Sequence, residues 1–455
     1  MDRVDLVIKN GRIVTAEGEF QGDVYIRAGK IAGVGHLDAA ASESVDASNL
    51  LVMPGMFEAH AHLMDPAETD REDMPTGTAA AAVQGVTTLI EHSHCTAVHS
   101  GEEFRKKRDF LKDRSVVDFG IGAHFPTESI DHVGEAVEAG AAFIKVMACT
   151  THGIKGVTTG ELHEAMSRYG RTGVPFLIHA EDEGLTASAE ARLKAASRQD
   201  GGIIPEWRSL LAETVAAQNA ATIAEATGAL TVLAHCSHPA IFRIAREARG
   251  RGADLWTEAC PQYFALREDE ALTQGALRKF TPPNRMRSDA DVEALWACIG
   301  ERAYFASDHA PSTLAQKKSG SIWKAPFGLP GVDTTFRFLL DAAAKGRMTY
   351  PLLVDLYCRR PAKLYGYYPR KGTLSPGADA DIILVDPQAE YEMTDAMVIS
   401  KAGWTPYAGR TFRGRTRAVY LRGRKIAENG TCLARPGSGE FVAAHRVRQD
   451  GLAVG

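Results

Sequence analysis

The spacing of hydrophobic and polar residues changes twice along this chain of 455 residues. The first part consists of short apolar runs broken by glycine: DLVIKNGRIV, GDVYIRAGKIAGVG and SNLLVMPG. The same pattern returns near the C-terminus in KGTLSPGADADIILVD and RAVYLRGRKIAENG. Runs of this length and spacing predict strands joined by turns. We therefore expect a small sheet or sandwich that is built from both ends of the chain.

The middle of the chain alternates apolar strand candidates with amphipathic helical segments, among them TGELHEAMSRYGRTG and LLAETVAAQNAATIAEATG. The strand candidates are MFEAHAH, VTTLIEHSH, VVDFGIGAHF, AAFIKVMAC, VPFLIHAED, LTVLAHCSH, DLWTEACP and AYFASDHAP. Eight such βα units in succession predict a closed (β/α)8 barrel. An open doubly wound sheet is the alternative, but its usual Gly-rich phosphate turn after the first strand is missing.

The predicted fold is therefore α/β, a (β/α)8 TIM barrel with a small discontinuous β-sandwich domain. The expected boundaries are residues 1–53 and 366–434 for the sandwich, 54–365 for the barrel and 435–455 for a C-terminal tail. The tail is either disordered or an arm onto a neighbouring subunit.

Composition and charge exclude several classes of protein. A formal net charge of -5 provides no basic field for nucleic acid, and no apolar run is long enough to span a membrane. The N-terminal residues lack the pattern of a secretory signal, so a cytoplasmic location is expected. Seven cysteines are scattered without CxxC spacing, which argues against both a disulfide framework and a thiolate zinc site.

The first barrel strand ends in two histidines, His60 and His62, within the stretch LVMPGMFEAHAH. Residues i and i+2 of an extended chain point to the same side, so both imidazoles can reach one metal ion. Further polar residues stand at or near the ends of later strands: Lys145, His179, His235 and Asp308. Taken alone, each has an ordinary structural explanation, such as a hydrogen-bonded core histidine. Six polar residues at matching strand ends predict an active site, because barrel active sites lie on that face.

Lys145 is the most informative of the six, because it lies within the apolar stretch AAFIKVMA. A buried ammonium is unfavourable unless it is paired or deprotonated. One interpretation is a long side chain that reaches the barrel mouth. The functional interpretation is a neutral amine that has taken up carbon dioxide, giving a carbamate whose two oxygens each bind one ion. Neutral histidines, an anionic bridge and one carboxylate suit Zn²⁺ or a similar ion.

These motifs resemble those of the amidohydrolase superfamily, within its cyclic amide hydrolases: hydantoinases (dihydropyrimidinases), allantoinases and dihydroorotases. The matching stretches are PGMFEAHAH, FIKVMA, FLIHAED, LAHCSH, TEACPQYF, KFTPPNR, ASDHAP, KAPFGLPGVDT and KGTLSPGADADIILVDP. They are spread over nearly the whole chain, and their order is specific.

The resemblance implies a hydrolase that opens the ring C–N bond of a cyclic amide, ureide or imide with two divalent ions, with zinc expected. The implied ligands are His60, His62 and Asp308 for the more buried ion, His179 and His235 for the other, and carboxylated Lys145 as the bridge. A metal-bridging hydroxide would attack the ring carbonyl, Asp308 would act as general base and then acid, and His235 would stabilise developing charge. The expected partner is a small cyclic amide, with no nucleic acid or membrane, and the expected assembly is a homo-oligomer, a dimer or tetramer.

The chain departs from the family pattern on the substrate side. Met64 stands where dihydroorotases have an arginine that binds the substrate carboxylate, and Thr150 stands where hydantoinases have a tyrosine. Glu58 replaces a common aspartate, and His152 can line the pocket in place of the tyrosine. The candidates for substrate contact are Met64, Thr150, His152 and Asn284.

Other interpretations remain open at this point. His92 and His94 repeat the His-x-His spacing, but the resemblance gives them no ligand role, so we expect core or pocket-lining positions. Allantoinase or dihydroorotase activity is the nearest alternative. A mononuclear deaminase is a second, although a single ion needs no lysine bridge. A non-catalytic scaffold like the dihydropyrimidinase-related proteins is a third, although such scaffolds have lost metal ligands that this chain keeps.

Overall fold

The computed structural model describes residues 3–126, 129–447 and 453–454. The strands are β1 (Val4–Val14), β2 (Glu19–Arg27), β3 (Lys30–Gly35), β4 (Ala41–Asp46), β5 (Leu51–Pro54), β6 (Met56–Ala61), β7 (Val86–Glu91), β8 (Asp118–Ile121), β9 (Ala123–Phe125), β10 (Ile144–Met147), β11 (Phe176–His179), β12 (Thr231–Leu233), β13 (Leu255–Ala259), β14 (Ala303–Phe305), β15 (Ile382–Glu392), β16 (Thr411–Leu421), β17 (Arg424–Glu428), β18 (Thr431–Cys432), β19 (Arg446–Val447) and β20 (Ala453–Val454).

The α-helices are α1 (Met74–Gln84), α2 (Gly101–Leu111), α3 (Asp131–Glu138), α4 (Thr159–Tyr169), α5 (Glu183–Ala195), α6 (Ile203–Trp207), α7 (Leu210–Thr227), α8 (Pro239–Gly250), α9 (Pro261–Ala265), α10 (Glu270–Gln274), α11 (Asp289–Trp296), α12 (Leu314–Lys317), α13 (Thr335–Ala344), α14 (Tyr350–Val354) and α15 (Arg360–Leu364). A π-helical turn, Asp355–Arg359, joins the last two. Within the described ranges, no helix is both long and apolar enough to cross a membrane.

Two helices that the sequence predicts have clear start and stop signals. Before α4, the Thr158 hydroxyl accepts a hydrogen bond from Glu161 N, and the Glu161 side chain accepts one from Thr158 N. Ser209 caps the start of α7 in a similar way, and Gly228 ends it with a φ of 69°. These contacts satisfy backbone groups that a helix end leaves unpaired, so local sequence determines where both helices begin and end.

The largest sheet joins the two ends of the chain. Its strand order is β18-β17-β16-β15-β5-β1-β2-β3, and β4 pairs with β1. At the junction, β5 runs parallel to β1 and antiparallel to β15. Apolar side chains from both ends share one buried cluster that includes Ile8, Val24, Ile382 and Tyr420. Strands from the N-terminal and C-terminal regions therefore form a single sheet.

Two parallel sheets contain the eight runs that the sequence predicts as barrel strands. One has the order β6-β7-β8 and the other β14-β13-β12-β11-β10-β9. The predicted run VVDFGIGAHF forms two strands that are separated by Gly122. The residues before Gly122 (β8) pair with β7, and those after it (β9) pair with β10. Gly122 N donates to Glu91 O, whereas Ala123 N donates to Phe143 O. A Cβ at Gly122 would lie 2.3 Å from the Phe143 ring, so a larger residue at this position would displace that ring.

The two parallel sheets are linked at both edges by backbone hydrogen bonds. On one side, Ala142 N donates to Ile121 O at 2.8 Å. On the other, His62 N donates to His309 O at 2.8 Å, and Ala61 forms a parallel bridge with His309. All of these strands therefore end on a common side of the molecule.

A buried ion network joins the large sheet to β8. Lys371 Nζ lies 2.8 Å from Asp381 Oδ2 and 2.9 Å from Asp379 Oδ2, and it also pairs with Asp118. Arg422 forms a second ion pair with Asp118. Burial opposes the charge on Lys371, but the three carboxylates raise its pKa above the usual value. The ammonium thus satisfies acids that would otherwise be buried without a partner.

The described part of the C-terminal tail packs against its own chain. The Phe441 ring lies 5.9 Å from that of Phe104 and 5.8 Å from that of Phe119, and Val442 is buried. His445 N donates to Gly366 O at 2.8 Å. Up to residue 447 the tail therefore differs from the expectation of disorder, because its apolar residues pack on a surface of this chain. Residues 448–452 and 455 lie outside the described residues.

Candidate metal centre and active site

The six polar residues selected from strand ends line one small cavity of about 20 Å³. They are His60, His62, Lys145, His179, His235 and Asp308. Five of them are buried, and the side chain of Asp308 is 13% exposed. Parallel strands with a common direction bring these side chains together from five separate parts of the sequence.

Three donor atoms on one side of this cavity face one another. His60 Nε2 lies 3.2 Å and His62 Nε2 lies 3.5 Å from Asp308 Oδ1. The opposite ring nitrogens contact acceptors: His60 Nδ1 lies 2.7 Å from Glu258 Oε1, and His62 Nδ1 lies 3.2 Å from the His92 carbonyl oxygen. These acceptors favour protons on both Nδ1 atoms, so the Nε2 lone pairs are directed at Asp308.

His179 and His235 form a second pair of donors, with His179 Nδ1 3.0 Å from His235 Nε2. His179 Nε2 lies 2.7 Å from Glu181 Oε2, which also accepts a hydrogen bond from the Thr281 hydroxyl at 2.5 Å. Burial alone would raise the pKa of Glu181, but the charge of Arg208 and these hydrogen bonds lower it to about 2. The ionised carboxylate keeps a proton on His179 Nε2 and leaves the Nδ1 lone pair facing His235.

Lys145 lines the same cavity and is only 1% exposed. Burial lowers the pKa of this lysine to about 8, although the charges of Glu258 and Asp308 act in the opposite direction. Burial therefore makes the neutral amine more accessible near physiological pH than it is in an exposed lysine. The neutral amine is the nucleophilic form that can take up carbon dioxide.

The donor set fits the two ions that the resemblance implies. Two ligands about 2.0–2.1 Å from a tetrahedral zinc ion are about 3.3 Å apart. The donor spacings of 3.0–3.5 Å in the two groups are close to this value. In addition, His60 Nε2 has no hydrogen-bond partner among the described residues. A bound cation would satisfy this buried nitrogen.

Four non-glycine residues around the site have a positive φ. The angles are 35° at His235, 49° at Asp308, 59° at Met64 and 51° at His152. A residue held in this region costs about 1–3 kcal/mol and persists only where its surroundings impose it. The loops after β12 and β14 are thus held in strained conformations that direct His235 and Asp308 into the cavity.

Glu258 connects the two donor groups and is the main residue that sequence reasoning missed. Its Oε1 accepts hydrogen bonds from His60 Nδ1 at 2.7 Å and from His235 N at 2.9 Å. Its Oε2 accepts one from the Tyr304 hydroxyl at 2.7 Å. The residue lies in the stretch DLWTEACP, which is distinguished only by its strand-like composition and its family resemblance.

Two other buried acids stand two residues from a histidine of the site, and only Glu181 of these was missed in the sequence. Glu58 precedes His60 by two residues, and Glu181 follows His179 by two. Side chains two residues apart in a strand lie on the same face, which makes each acid a natural partner for a ligand histidine. Glu58 accepts hydrogen bonds from His60 N at 2.9 Å and from the Tyr357 hydroxyl at 2.7 Å.

A larger cavity of about 460 Å³ adjoins the small one. The residues common to both linings are His62, His94, His152, Ala310 and Phe327. The larger lining also includes Met64, Arg71, Lys279 and Trp323. Of the four candidates for substrate contact, Met64 and His152 therefore lie at this cavity. It has room for a small ring beside the six convergent residues.

Thr150 and Asn284 lie elsewhere, which differs from expectation. The chain leaves β10 after Met147, and Thr150 N–H donates to the Glu183 carboxylate beside a separate cavity of about 430 Å³. The Asn284 amide is occupied by backbone groups: Nδ2 donates to Gln262 O in α9 at 2.8 Å, and Oδ1 accepts from Met286 N at 2.7 Å. Neither side chain lines the two cavities at the site.

Comparison with known proteins finds relatives along the whole chain. Residues 51–426 match the model of the Amidohydrolase family. The L-hydantoinase of Paenarthrobacter aurescens is 29% identical over 449 residues, which cover 96% of this chain and 98% of the relative. The allantoinase of Rubrobacter xylanophilus is 32% identical over 455 residues, which cover 98% and 99%. The solved structure of L-hydantoinase (dihydropyrimidinase) from Arthrobacter aurescens has a TM-score of 0.91 at 28% identity and covers 97% of this chain and 100% of its own.

Proposed function

Because this chain belongs to the amidohydrolase family, we propose that it is a metal-dependent hydrolase that opens the ring C–N bond of a cyclic amide, ureide or imide. Family membership, predicted from the sequence motifs, is confirmed by the match over residues 51–426. The observation that carries the proposal is the convergence of two donor groups and a buried lysine on one cavity. Relatives named hydantoinase and allantoinase over the full length support the reaction class.

The proposed architecture is a closed (β/α)8 barrel with a discontinuous β-sandwich domain. The proposed boundaries are those expected from the sequence: 54–365 for the barrel, 1–53 and 366–434 for the sandwich. The hydrogen bond from Ala142 N to Ile121 O and the bridge between Ala61 and His309 support closure, because they join the two parallel sheets at both edges. A TM-score of 0.91 to a solved hydantoinase is consistent with this arrangement.

The proposed metal site holds two divalent ions, with zinc expected from the donor types. Its ligands are His60, His62 and Asp308 for one ion, His179 and His235 for the other, and carboxylated Lys145 for both. When bound, two ions lower the pKa of a water molecule and polarise the carbonyl of the substrate. The neutral fraction of the Lys145 amine supports carbamate formation, and the carbamate would replace a repulsive ammonium by an anionic ligand.

Asp308 is proposed to move the proton. Burial alone would raise the pKa of this carboxyl, but His60 and His62 hold it below its usual value, so the group is ionised at neutral pH. It can therefore accept the proton of the attacking water and deliver it to the leaving ring nitrogen. The adjacent His235 would stabilise charge that develops on the carbonyl oxygen.

The proposed substrate is a neutral five- or six-membered cyclic ureide or imide. Met64 presents a thioether to the larger cavity where a dihydroorotase would present arginine. Arg71 also lines this cavity, but it pairs with Glu68 and donates to Pro311 O at 3.0 Å. Because Glu68 already neutralises the charge of Arg71, Arg71 contributes little to the binding of a substrate carboxylate. Allantoin is a specific second candidate, because the relative with 32% identity is an allantoinase.

A ring-opening screen tests this function. The zinc-loaded protein is incubated with hydantoin, dihydrouracil, allantoin, dihydroorotate and simple cyclic imides, and ring opening is measured by chromatography. Asp308→Asn is the matched control for a contaminating hydrolase. We expect at least one neutral ring to be opened by the wild type and not by the variant. Failure of the metal-loaded protein to open any of these rings, or equal rates in the variant, would contradict the proposal.

A further inference from the structure

His92 is a buried histidine for which neither ring nitrogen has a hydrogen-bond partner among the described residues. It directly follows β7, and its backbone is firmly held. His92 N donates to Ala61 O at 3.2 Å, and the His92 carbonyl oxygen lies 3.2 Å from His62 Nδ1. The residue is 0% exposed, so solvent at the surface does not satisfy the ring. A buried polar group of this kind requires a specific explanation, such as an ion.

Packing alone does not account for a histidine at this position. The ring meets Phe143 edge-on, with centroids 4.9 Å apart and an interplanar angle of 83°. A phenylalanine or leucine would fill similar space without leaving two ring nitrogens unpaired. The acids of the site do not supply the missing contacts, because Glu258 binds His60 and Glu181 binds His179.

The ring of His92 lies beside both histidines of the first donor group. Its centroid is 4.4 Å from that of His60 and 4.4 Å from that of His62. One ring nitrogen from each of the three residues lies within 4.8 Å of the other two. A neutral imidazole offers one nitrogen lone pair to a metal ion, and three imidazoles are a common ligand set for zinc.

We propose that His92 is a third imidazole ligand of the ion held by His60 and His62. This inference rests on the metal-dependent function proposed above, and it adds a ligand that the family resemblance does not imply. The first site then has three imidazoles and the Asp308 carboxylate, whereas the second has only His179 and His235 besides the bridge. The two ions are therefore bound unequally, and the first site fills first.

Metal affinity in a matched pair of variants tests the inference. His92→Phe removes the proposed ligand and keeps an aromatic ring against Phe143. His124→Phe is the control, because His124 is also buried and has an unpartnered Nε2, but its ring centroid is 6.2 Å from that of His92. Cobalt affinity is measured by competition with a chelator, and the visible spectrum of bound Co²⁺ reports its coordination.

We expect His92→Phe to reduce the affinity for the more tightly bound ion. The reduction should exceed the roughly 10–100-fold loss of affinity that follows removal of an outer hydrogen-bond partner. The Co²⁺ spectrum should change in the same variant, and His124→Phe should resemble the wild type in both properties. Wild-type affinity and spectrum in His92→Phe would overturn the inference.

A measurement on the wild type keeps the test independent of how the variants fold. The protein is loaded with one Cu²⁺ per chain, and pulsed electron paramagnetic resonance counts the coordinated imidazoles through their remote nitrogens. We expect three imidazoles. Two would overturn the role of His92 and leave the proposed hydrolase intact, whereas a wild-type protein that binds no divalent ion would contradict both proposals.

Discussion

Replacing Glu258 by glutamine should weaken metal binding while preserving the fold. This buried carboxylate accepts hydrogen bonds from His60 Nδ1 at 2.7 Å, His235 N at 2.9 Å and the Tyr304 hydroxyl at 2.7 Å. Glutamine has nearly the same shape and keeps one oxygen for His60 and His235. It removes the negative charge that orients the His60 ring and strengthens its Nε2 as a ligand.

The size of the effect follows from the hydrogen bond to His60. A hydrogen bond to a charged group contributes about 1.5–3 kcal/mol, and a neutral one about 0.5–1.5 kcal/mol. Exchanging one for the other therefore costs about 1–1.5 kcal/mol. Since about 1.4 kcal/mol corresponds to a factor of ten, metal affinity should fall about 5–15-fold. Glu258→Leu should have a larger effect, because it leaves His60 Nδ1 and His235 N without an acceptor.

The assay is competition between the protein and a chelator for zinc, with thermal unfolding of the metal-free protein as a check on the fold. Glu58→Gln is the matched control. Glu58 is equally buried, but it contacts the backbone N–H of His60 rather than the imidazole, and burial raises its pKa to about 7. Its replacement should change zinc affinity less than about threefold. Equal losses in both variants, or unchanged affinity in Glu258→Gln, would refute the argument.

Four further predictions concern the chain more widely. Lys145→Ala should lose metal and activity, and short carboxylic acids should restore part of both by replacing the bridge; an unaffected variant would exclude the carbamate. Asp308→Asn should keep the fold and much of the metal while kcat falls about 10²–10⁴-fold, as for loss of a general acid/base. Lys371→Met should destabilise the metal-free protein by about 3–5 kcal/mol in chemical denaturation at pH 7, because it leaves buried carboxylates unpaired. Burial alone would raise the pKa of Asp379, but Lys371 and its neighbours hold it below the usual range, so this stabilisation should fade as the pH falls below about 4. Turnover of dihydroorotate should have a kcat/KM at least about one to two orders of magnitude below that of hydantoin or dihydrouracil under identical metal loading, because Met64 replaces a charged contact worth about 1.5–3 kcal/mol.

The strands and the six convergent residues were predictable because both depend on local pattern. Buried parallel strands are continuous apolar runs, and all eight predicted runs form strands. Parallel direction then places the strand ends together, so His60 and Asp308 meet although nearly 250 residues separate them. The split of one run at Gly122 was not predictable, because it depends on contact with Phe143, which is distant in sequence.

Other features depend on tertiary contacts that no short motif records. Glu258 has no characteristic spacing from His60, and only the fold brings the two within 2.7 Å. Thr150 occupies the position of a family tyrosine, yet the loop after β10 carries it away from the cavity. The tail could not be assigned because its docking surface includes Phe104 and Phe119, which become adjacent only after folding.

A zinc titration of the metal-free protein tests the central claim most directly. Zinc is added in the presence of ¹³C-labelled bicarbonate, and the rate of ring opening of the best substrate is recorded with the carbamate signal of Lys145. We predict that the rate rises to a plateau at two ions per chain and that the carbamate forms along with it. Full activity with one tightly bound ion and an unmodified Lys145 would contradict the binuclear account.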